Sequence, residues 1–312
     1  MENVIEDLKK INAKRVFIQF PEGLKLKIQD IADALESAGF SCFLCLEKTF
    51  GACDIRSEEA KRLGCDCILH IGHSDFGIKT DIPVVYWEYF LDVDPLPILN
   101  REMEKLKNHK KIGLVASLQF VKTLPKIKSF LEERGKKVFI KKTLKYPGQI
   151  LGCNLTAATS VEKDVDCFLC ISAGKFYGLG LALTTNKPVL LLDLERGGIF
   201  GIEEEKQKTV KLIEWNKQKL KDSKRVGVLI SWKVGQLKDA AEIKKELELQ
   251  GKKAYILVAD EISPQKLEGL KLDVIVNCAC PRIGIDDARM YEGIINSCYL
   301  DFNACDKHIK TK

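Results

Sequence analysis

The stretch Arg15-Val-Phe-Ile-Gln-Phe20 opens a pattern that the chain uses three times. An apolar strand is followed by a helix that ends at Gly39, a second strand, a loop, and a third strand that opens on Asp66. Further copies begin at Lys111 and Arg225. The spacing from first strand to helix-ending glycine is nearly constant, as shown by the pairs Val16 and Gly39, Ile112 and Gly135, and Val226 and Gly251. Such regularity indicates an internally triplicated α/β protein.

The strands of each copy are continuous apolar runs, which is typical of parallel sheets covered by helices on both faces. We therefore predict three homologous small domains, each a mostly parallel sheet flanked by helices, in a pseudo-threefold arrangement. Their expected limits are residues 1–100, 101–221 and 222–312. Linkers are expected near Pro95–Asn100 and in the charged helix Glu203–Lys221, because each precedes a new copy. Ligands of open parallel sheets collect beyond the carboxyl ends of the strands.

The composition is that of a globular protein and argues against a membrane protein or a nucleic-acid-binding protein. Hydrophobic residues make up 46% and charged residues 30% of the chain, and no apolar run has the length of a membrane span. The N-terminal residues lack the pattern of a signal peptide, so we expect a cytoplasmic location and no membrane. The net charge of +6 is spread over lysine-rich helix faces without an aromatic platform, and direct nucleic-acid binding is not expected.

Twelve cysteines exceed what packing needs, and a reducing compartment favours metal or redox chemistry over disulfides. The pairs Cys42/Cys45 and Cys167/Cys170 have the spacing of zinc knuckles, but neither stretch contains a Gly or Pro to form the required turn. We interpret these four thiols as small buried hydrophobes. Cys65, Cys67 and Cys278 lie in or next to predicted strands, and we interpret them in the same way. Cys298 and Cys305, in the C-terminal segment, stay undecided.

Three cysteines stand apart because turn-forming residues surround them at predicted strand ends. They are Cys53, Cys153 and Cys280. A pseudo-threefold arrangement would bring equivalent strand ends to one axis, and three converging thiolates suit a cubane iron–sulfur cluster with one iron open to substrate. Three unrelated loop thiols are the competing interpretation. The symmetry is imperfect, because Cys53 and Cys153 follow the second strand of their copies, whereas Cys280 follows the third.

Five short motifs occur in the order of a known family. They are Pro21-Glu-Gly-Leu24, Gly51-Ala-Cys-Asp54, His70-Ile-Gly-His-Ser74, Leu151-Gly-Cys-Asn154 and Ala279-Cys-Pro-Arg-Ile283. Together they resemble the diphthamide synthase family in its archaeal form, across essentially the whole chain. The resemblance implies three homologous domains that each supply one cysteine, here Cys53, Cys153 and Cys280, to a [4Fe-4S] cluster. It also implies a homodimer.

The activity implied by this resemblance is the first step of diphthamide biosynthesis. A 3-amino-3-carboxypropyl group passes from S-adenosylmethionine to the imidazole C2 of one histidine in translation elongation factor 2, by radical chemistry that needs an external electron donor. The compact Cys-x3-Cys-x2-Cys loop of ordinary radical enzymes with this cofactor is absent from the sequence. That absence agrees with a different way of holding the cluster.

Loops at the strand ends of the three copies are rich in small residues whose backbone amides can approach a nucleotide or a carboxylate. We interpret them as walls of the S-adenosylmethionine site, with plain tight turns as the alternative. The candidates are His73, Ser74, Ser172, Gly174, Gly235 and Gln236. Arg282 either pairs with the methionine carboxylate, tunes the cluster by its charge, or forms a surface salt bridge. We expect His70 to be a structural histidine.

Two other functions compete. A quinolinate synthase-like dehydratase also joins three related α/β domains around a three-cysteine cluster, but would call for arginine, histidine and tyrosine side chains around small anions. A non-catalytic partner subunit that holds a cluster for electron delivery or scaffolding is the second alternative. Retention of all three motif cysteines favours an enzyme.

Overall fold

A computed structural model describes residues 1–75, 77–236, 240–291 and 293–300. The chain forms two compact units. One comprises Met1–Phe90 together with Lys233–Gln236, and the other comprises the remaining described residues. The first copy of the pattern forms the first unit, and the second and third copies belong to the other. The strands of each copy form a sheet of their own.

The first copy folds into a four-stranded sheet in which all strands are parallel, in the order β2-β1-β3-β4. A 3₁₀ turn at Glu22–Lys27 leads into the second helix. The elements are α1 (Glu2–Lys10), β1 (Arg15–Gln19), α2 (Ile28–Ser37), β2 (Ser41–Leu44), α3 (Ser57–Arg62), β3 (Cys67–Ile71) and β4 (Val84–Trp87).

The second copy has the order β6-β5-β7-β8-β9, in which only the added edge strand β9 runs antiparallel to its neighbour. The glycine-rich helix α7 packs beside the long charged helix α8. The elements are α4 (Leu96–Glu102), β5 (Lys111–Ala116), α5 (Leu124–Glu132), β6 (Lys137–Phe139), α6 (Thr156–Thr159), β7 (Cys167–Ile171), α7 (Phe176–Thr184), β8 (Val189–Asp193), β9 (Gly198–Gly201) and α8 (Glu203–Asp222).

The third copy repeats the parallel order as β11-β10-β12-β13. A 3₁₀ turn at Pro281–Gly284 follows its third strand. The elements are β10 (Arg225–Ser231), α9 (Ala241–Leu249), β11 (Lys253–Ala259), α10 (Pro264–Leu267), β12 (Val274–Asn277) and β13 (Ile294–Asn296). The prediction of three mostly parallel sheets flanked by helices is confirmed.

The glycine that ends the first helix of each copy has a positive φ. The angles are 95° at Gly39, 76° at Gly135 and 80° at Gly251. Residues with a Cβ rarely adopt this left-handed conformation, so glycine at these positions ends the helix and turns the chain into the next strand. The regular glycine spacing in the sequence thus has a conformational cause.

Both faces of the sheets carry an apolar core. In the first copy, Ile18 and Cys67 face one cluster, whereas Phe17 and Ile68 face another. Successive residues of a strand point to opposite faces, so a sheet covered on both sides needs apolar residues at every position. This explains why the strands read as continuous apolar runs.

Two details differ from the sequence predictions. The predicted linker at Pro95–Asn100 lies within the start of helix α4, because a proline in the first helical turn leaves no hydrogen bond unmade and supplies a helical φ. The second strand of the first copy ends at Leu44, so Cys45 follows the strand instead of lying inside it. The domain limits 1–100, 101–221 and 222–312 and the pseudo-threefold arrangement stay predictions. Within the described ranges, no helix combines the length and the apolar character needed to cross a bilayer.

Candidate metal centre

Cys53 lies in the loop after β2, half-buried, and a segment from after β10 packs on it. Gly235 donates its backbone N–H to the carbonyl of Cys53 at 2.9 Å. The side-chain Nε2 of Gln236 lies 3.3 Å from the Cys53 sulfur. A Cβ on Gly235 would lie 2.6 Å from both Cα and Cβ of Cys53, so only glycine permits this approach. Burial raises the pKa of the Cys53 thiol, and the Gln236 hydrogen bond opposes that rise.

A buried charged cluster fixes the residue after Cys53. Lys233 forms a salt bridge with Asp54, and both side chains are almost completely buried. Arg56 lies 3.9 Å from the same carboxylate. The side chain of Gln19 donates to the Asp54 carbonyl at 2.9 Å and accepts from the Arg56 backbone N–H at 3.0 Å. A buried charge is tolerated only when it is paired, so this network ties the Cys53 loop to the end of β1.

His70 and His73 form a pair of neutral rings at the end of β3, with His70 Nε2 3.0 Å from His73 Nδ1. Burial lowers the pKa of His70 to about 3, with a further contribution from His73, and lowers the pKa of His73 to about 4. Among the described residues, the buried Nδ1 of His70 has no hydrogen-bond partner. One of the two facing nitrogens carries a proton in the neutral pair and the other accepts it, which holds both rings in place.

Cys153 is exposed, at a tight turn in which Leu151 and Asn154 form an antiparallel bridge. The Asn154 side chain accepts from the backbone N–H of Thr156 at 3.1 Å and holds the start of α6. A Cβ on Gly152 would lie 2.3 Å from the ring of Phe176, so the absence of a side chain lets the turn rest on that ring. The turn therefore presents the Cys153 thiol outward from a fixed backbone.

Cys280 directly precedes the Pro281–Gly284 turn, and two buried asparagines hold its backbone. Asn277 Nδ2 lies 2.9 Å from the carbonyl of Cys280 and 2.6 Å from Oδ1 of Asn296. Asn296 in turn donates to the carbonyl of Pro281 at 2.9 Å. The amide pair bridges β12 and β13 and fixes the loop that carries the thiol.

Tyr177 lies on α7 and packs, partly buried, against the core of the second copy. Burial raises the pKa of this phenol to about 12, the Cys153 and Cys280 thiols contribute in the same direction, and Arg282 opposes them. Arg282 stacks 5.4 Å from the centre of the Phe176 ring and lies 3.4 Å from Asp286, with its side chain half exposed. The predicted salt bridge of Arg282 is therefore present.

The other predicted wall residues lie in turns. The hydroxyl of Ser172, which is fully buried, bonds to the carbonyl of Gly174 at 3.3 Å, and Gly174 has a φ of 69°. Ser74 is buried beside His73. These positions agree with both interpretations of the loops, as walls of a site or as tight turns.

Most of the remaining cysteines that the structure describes lie in or against the apolar core. Cys42 packs against one core cluster of the first copy and Cys45 belongs to another. Cys167 and Cys170 are three residues apart in β7, so they point to opposite faces of the sheet and cannot bind one ion. Burial raises the pKa of Cys42 to about 11 and that of Cys167 and Cys170 to about 12. Cys65, Cys67 and Cys278 are buried, Cys298 is exposed, and Cys305 lies outside the described residues.

The loop thiols fit the donor set of an iron–sulfur cluster better than that of an oxygen-loving ion. Cys53 has an amide directed at its sulfur, Cys153 sits on a tight turn, and Cys280 sits on a loop held by Asn277. Across the described part of the chain, no group of three His, Cys, Asp or Glu side chains is assembled for a metal ion. Convergence of all three thiols stays a prediction.

The sequence did not single out several supporting residues. They are Gln19, Lys233, Asn277, Asn296 and Tyr177. A signal existed for Asn277, an amide at the end of an apolar strand three residues before Cys280. Lys233 looked like one of many lysines, because nothing in its neighbourhood marks it as buried.

Comparison with known proteins gives a consistent picture. A family model for diphthamide synthesis proteins matches residues 20–300. The 2-(3-amino-3-carboxypropyl)histidine synthase of Pyrococcus horikoshii is 35% identical over 290 residues, which cover 91% of this chain and 83% of that protein. The protein of the same name from Methanocaldococcus jannaschii is 30% identical over 311 residues, covering 92% of this chain and 83% of that protein.

Two solved structures are similar over nearly the whole chain. The crystal structure of Dph2 from Pyrococcus horikoshii matches with a TM-score of 0.88 and 33% identity, covering 95% of this chain and 88% of that chain. The structure of the same protein with a 4Fe-4S cluster matches with a TM-score of 0.88 and 32% identity, covering 96% and 88%.

Proposed function

Because the chain belongs to the diphthamide synthesis protein family, we propose that it transfers the 3-amino-3-carboxypropyl group of S-adenosylmethionine to the imidazole C2 of a histidine in translation elongation factor 2. The family membership confirms the resemblance inferred from the five motifs. The names of the relatives support a synthase, and the Dph2 structure with its cluster supports an iron–sulfur cofactor.

The placement of three cysteines on supported loops carries this proposal. Cys53, Cys153 and Cys280 would hold the cluster, which when bound supplies the electron that cleaves a carbon–sulfur bond of the sulfonium. The net exchange breaks the bond between sulfur and the γ-carbon, forms a carbon–carbon bond at the imidazole C2, and releases methylthioadenosine and one proton. An external donor supplies the electron that starts the exchange, and the imidazole adduct gives up one electron as it loses the C2 proton, so the net exchange consumes none.

Positioning by the chain decides which bond of the sulfonium reacts. The sulfonium has three similar carbon–sulfur bonds, and interactions that orient the bound molecule select the one that can break. The half-exposed guanidinium of Arg282 has donors beyond its contact with Asp286, and it can pair with the methionine carboxylate. The turns at His73–Ser74 and Ser172–Gly174 offer backbone amides to the rest of the bound S-adenosylmethionine.

The supporting networks keep these loops in place without taking part in bond exchange. Lys233, Asp54 and Gln19 hold the Cys53 loop, and Asn277 and Asn296 hold the Cys280 loop. Rigid support of a ligand is part of what makes a metal site selective. We further propose a homodimer, which the family resemblance implies, and a cytoplasmic location.

The family match favours this function over a quinolinate synthase-like dehydratase. The chemistry of the loops points the same way, because the predicted wall residues include a single arginine, Arg282, and are mainly glycine and serine. A partner subunit that holds a cluster without catalysis differs from the synthase in its products, which makes it separable by experiment.

The test uses anaerobically purified protein, with iron and sulfide quantified before incubation with S-adenosylmethionine and dithionite. We expect methylthioadenosine as the product of the wild type. Cys53→Ala, Cys153→Ala and Cys280→Ala should each lose most iron and the product, whereas Cys167→Ala, which removes a core thiol, should retain both. Deoxyadenosine would indicate conventional cleavage, and a loaded protein without either product would favour the scaffold.

A further inference from the structure

The amide of Gln236 is directed at the sulfur of Cys53, with Nε2 and Sγ 3.3 Å apart. We propose that Gln236 tunes the reduction potential of the metal centre by donating an N–H hydrogen bond to this sulfur, and that it does not bind S-adenosylmethionine. The inference rests on the proposed function, because it takes Cys53 to be a cluster ligand. Gln236 would act on the cluster through its ligand Cys53 and would not contact the reacting atoms.

The contact is built by the whole segment Lys233–Gln236. Its first residue is fixed by the buried salt bridge to Asp54, and its third donates a backbone hydrogen bond to the Cys53 carbonyl. The backbone N–H of Gln236 bonds to the carbonyl of Lys233 at 2.8 Å, which closes a turn. These bonds fix the backbone from which the Gln236 side chain extends, within reach of the sulfur.

The chemistry of a metal-bound sulfur decides how the amide is oriented. A coordinated thiolate carries no proton and can only accept hydrogen bonds, whereas a glutamine amide can offer either an acceptor oxygen or two N–H donors. Facing Cys53, it must therefore present an N–H. Such a bond withdraws electron density from sulfur and stabilises the reduced, more negative state, which raises the reduction potential.

This use of the amide competes with the earlier interpretation of Gln236 as a wall of the S-adenosylmethionine site. A ligand-binding amide would point away from the protein and leave the sulfur without this donor. Instead, the amide is partly buried with its nitrogen toward Cys53. A Gln236 substitution should accordingly change the reduction potential of the metal centre and leave the binding of S-adenosylmethionine unchanged.

The test compares wild type, Gln236→Leu and the control Gln218→Leu, whose side chain bonds to Asp222 within helix α8. Redox titration of the loaded proteins, followed by electron paramagnetic resonance, should give a more negative midpoint potential for Gln236→Leu at unchanged iron content. Gln218→Leu should match wild type. Gln236→Glu, which replaces the donor by a carboxylate, should lie more negative still. An unchanged midpoint in a fully loaded Gln236→Leu protein overturns the inference.

A second readout needs no cluster. In protein stripped of iron, iodoacetamide labelling of Cys53, mapped by mass spectrometry, should be faster for Gln236→Ala than for wild type, because the amide no longer covers the sulfur. Labelling of Cys153 should be unaffected. Equal Cys53 rates would refute the contact even if the variants fail to load. Absence of a cluster from the wild type would instead count against the proposed function, and the labelling result would still decide whether Gln236 covers Cys53.

Discussion

The carboxylate of Asp273 lies 2.7 Å from the backbone nitrogen of Arg225 and 2.8 Å from that of Lys224. The same relationship recurs in each copy of the fold. The equivalent contacts are Asp66 with Lys14 and Arg15, and Asp166 with Lys110 and Lys111. An aspartate at the start of the third strand thus satisfies the first N–H groups of the central strand, which explains why the sequence pattern includes it.

Asp273→Ala should destabilise the protein by about 1 kcal/mol, because two charge-assisted hydrogen bonds are lost at a position open to solvent. Hydrogen bonds to the backbone of Arg225 and Lys224 lower the pKa of Asp273 in the folded state. Its contribution is therefore complete above the unfolded pKa and is lost as the pH falls towards the folded pKa. Urea unfolding at pH 7 and pH 3.5, roughly the carboxyl range, checks this. A variant that is equally destabilised at both values contradicts it.

The neutral pair His70 and His73 predicts acid sensitivity of the fold. Both folded pKa values, about 3 and about 4, lie below the unfolded value of 6.5, so the unfolded state binds more protons as the pH falls below 6.5. The free energy of unfolding should then decrease by up to about 1.4 kcal/mol per pH unit for each histidine. Denaturant titrations between neutral and mildly acidic pH measure this slope.

The matched variant for the histidine pair is His70→Phe with His73→Phe, which removes both titrating rings and keeps ring volume at the end of β3. Its slope should be shallower than that of wild type. His109→Gln, outside the pair, controls for the loss of a histidine. Equal slopes in the double variant and wild type would show that the pair does not titrate as described.

Asn296→Ala should loosen the loop of Cys280. The change removes hydrogen bonds to Asn277 and Pro281 and leaves buried polar groups unpaired, at a cost of about 2 to 3 kcal/mol. In protein without iron, Cys280 should be alkylated faster than in wild type, and the loaded protein should retain less iron. Asn186→Ala, at an exposed site, serves as the control. Unchanged labelling would mean that the amide pair does not hold this loop.

Cys170→Ala should separate packing from metal binding. Cys170 is fully buried in β7, and loss of its sulfur should cost about 1 to 2 kcal/mol through reduced burial and a small cavity. Iron content should stay at the wild-type level. Cys153→Ala should show the opposite behaviour, with little change in unfolding free energy and a loss of iron, because its side chain is exposed.

Local rules made much of the fold predictable. The glycines at 39, 135 and 251 and the aspartates at 66, 166 and 273 each meet a backbone requirement that recurs with every copy. The apolar strand runs follow from burial on both faces of the sheets. The helix at Leu96–Glu102 was missed, because prolines were interpreted as linker residues although one of them lies in the first helical turn.

The support of the candidate site was not predictable in the same way. Lys233 and Gln236 contact Cys53 and Asp54 across a long sequence separation, and no local pattern encodes such a contact. The role of Asn277 and Asn296 likewise depends on neighbouring strands rather than on neighbouring residues. Residue context and motif resemblance predicted the three thiols, whereas the hydrogen bonds around them are visible only in the structure.

Transfer to the protein substrate is the most direct test of the central claim. Anaerobic, iron-loaded protein would be incubated with elongation factor 2, S-adenosylmethionine and dithionite, and the factor would then be fragmented and analysed by mass spectrometry. We predict one 3-amino-3-carboxypropyl group on the imidazole carbon of a single histidine, with one methylthioadenosine released per group transferred. Methylthioadenosine formation with an unmodified factor, or a modification that persists in Cys53→Ala, would contradict it.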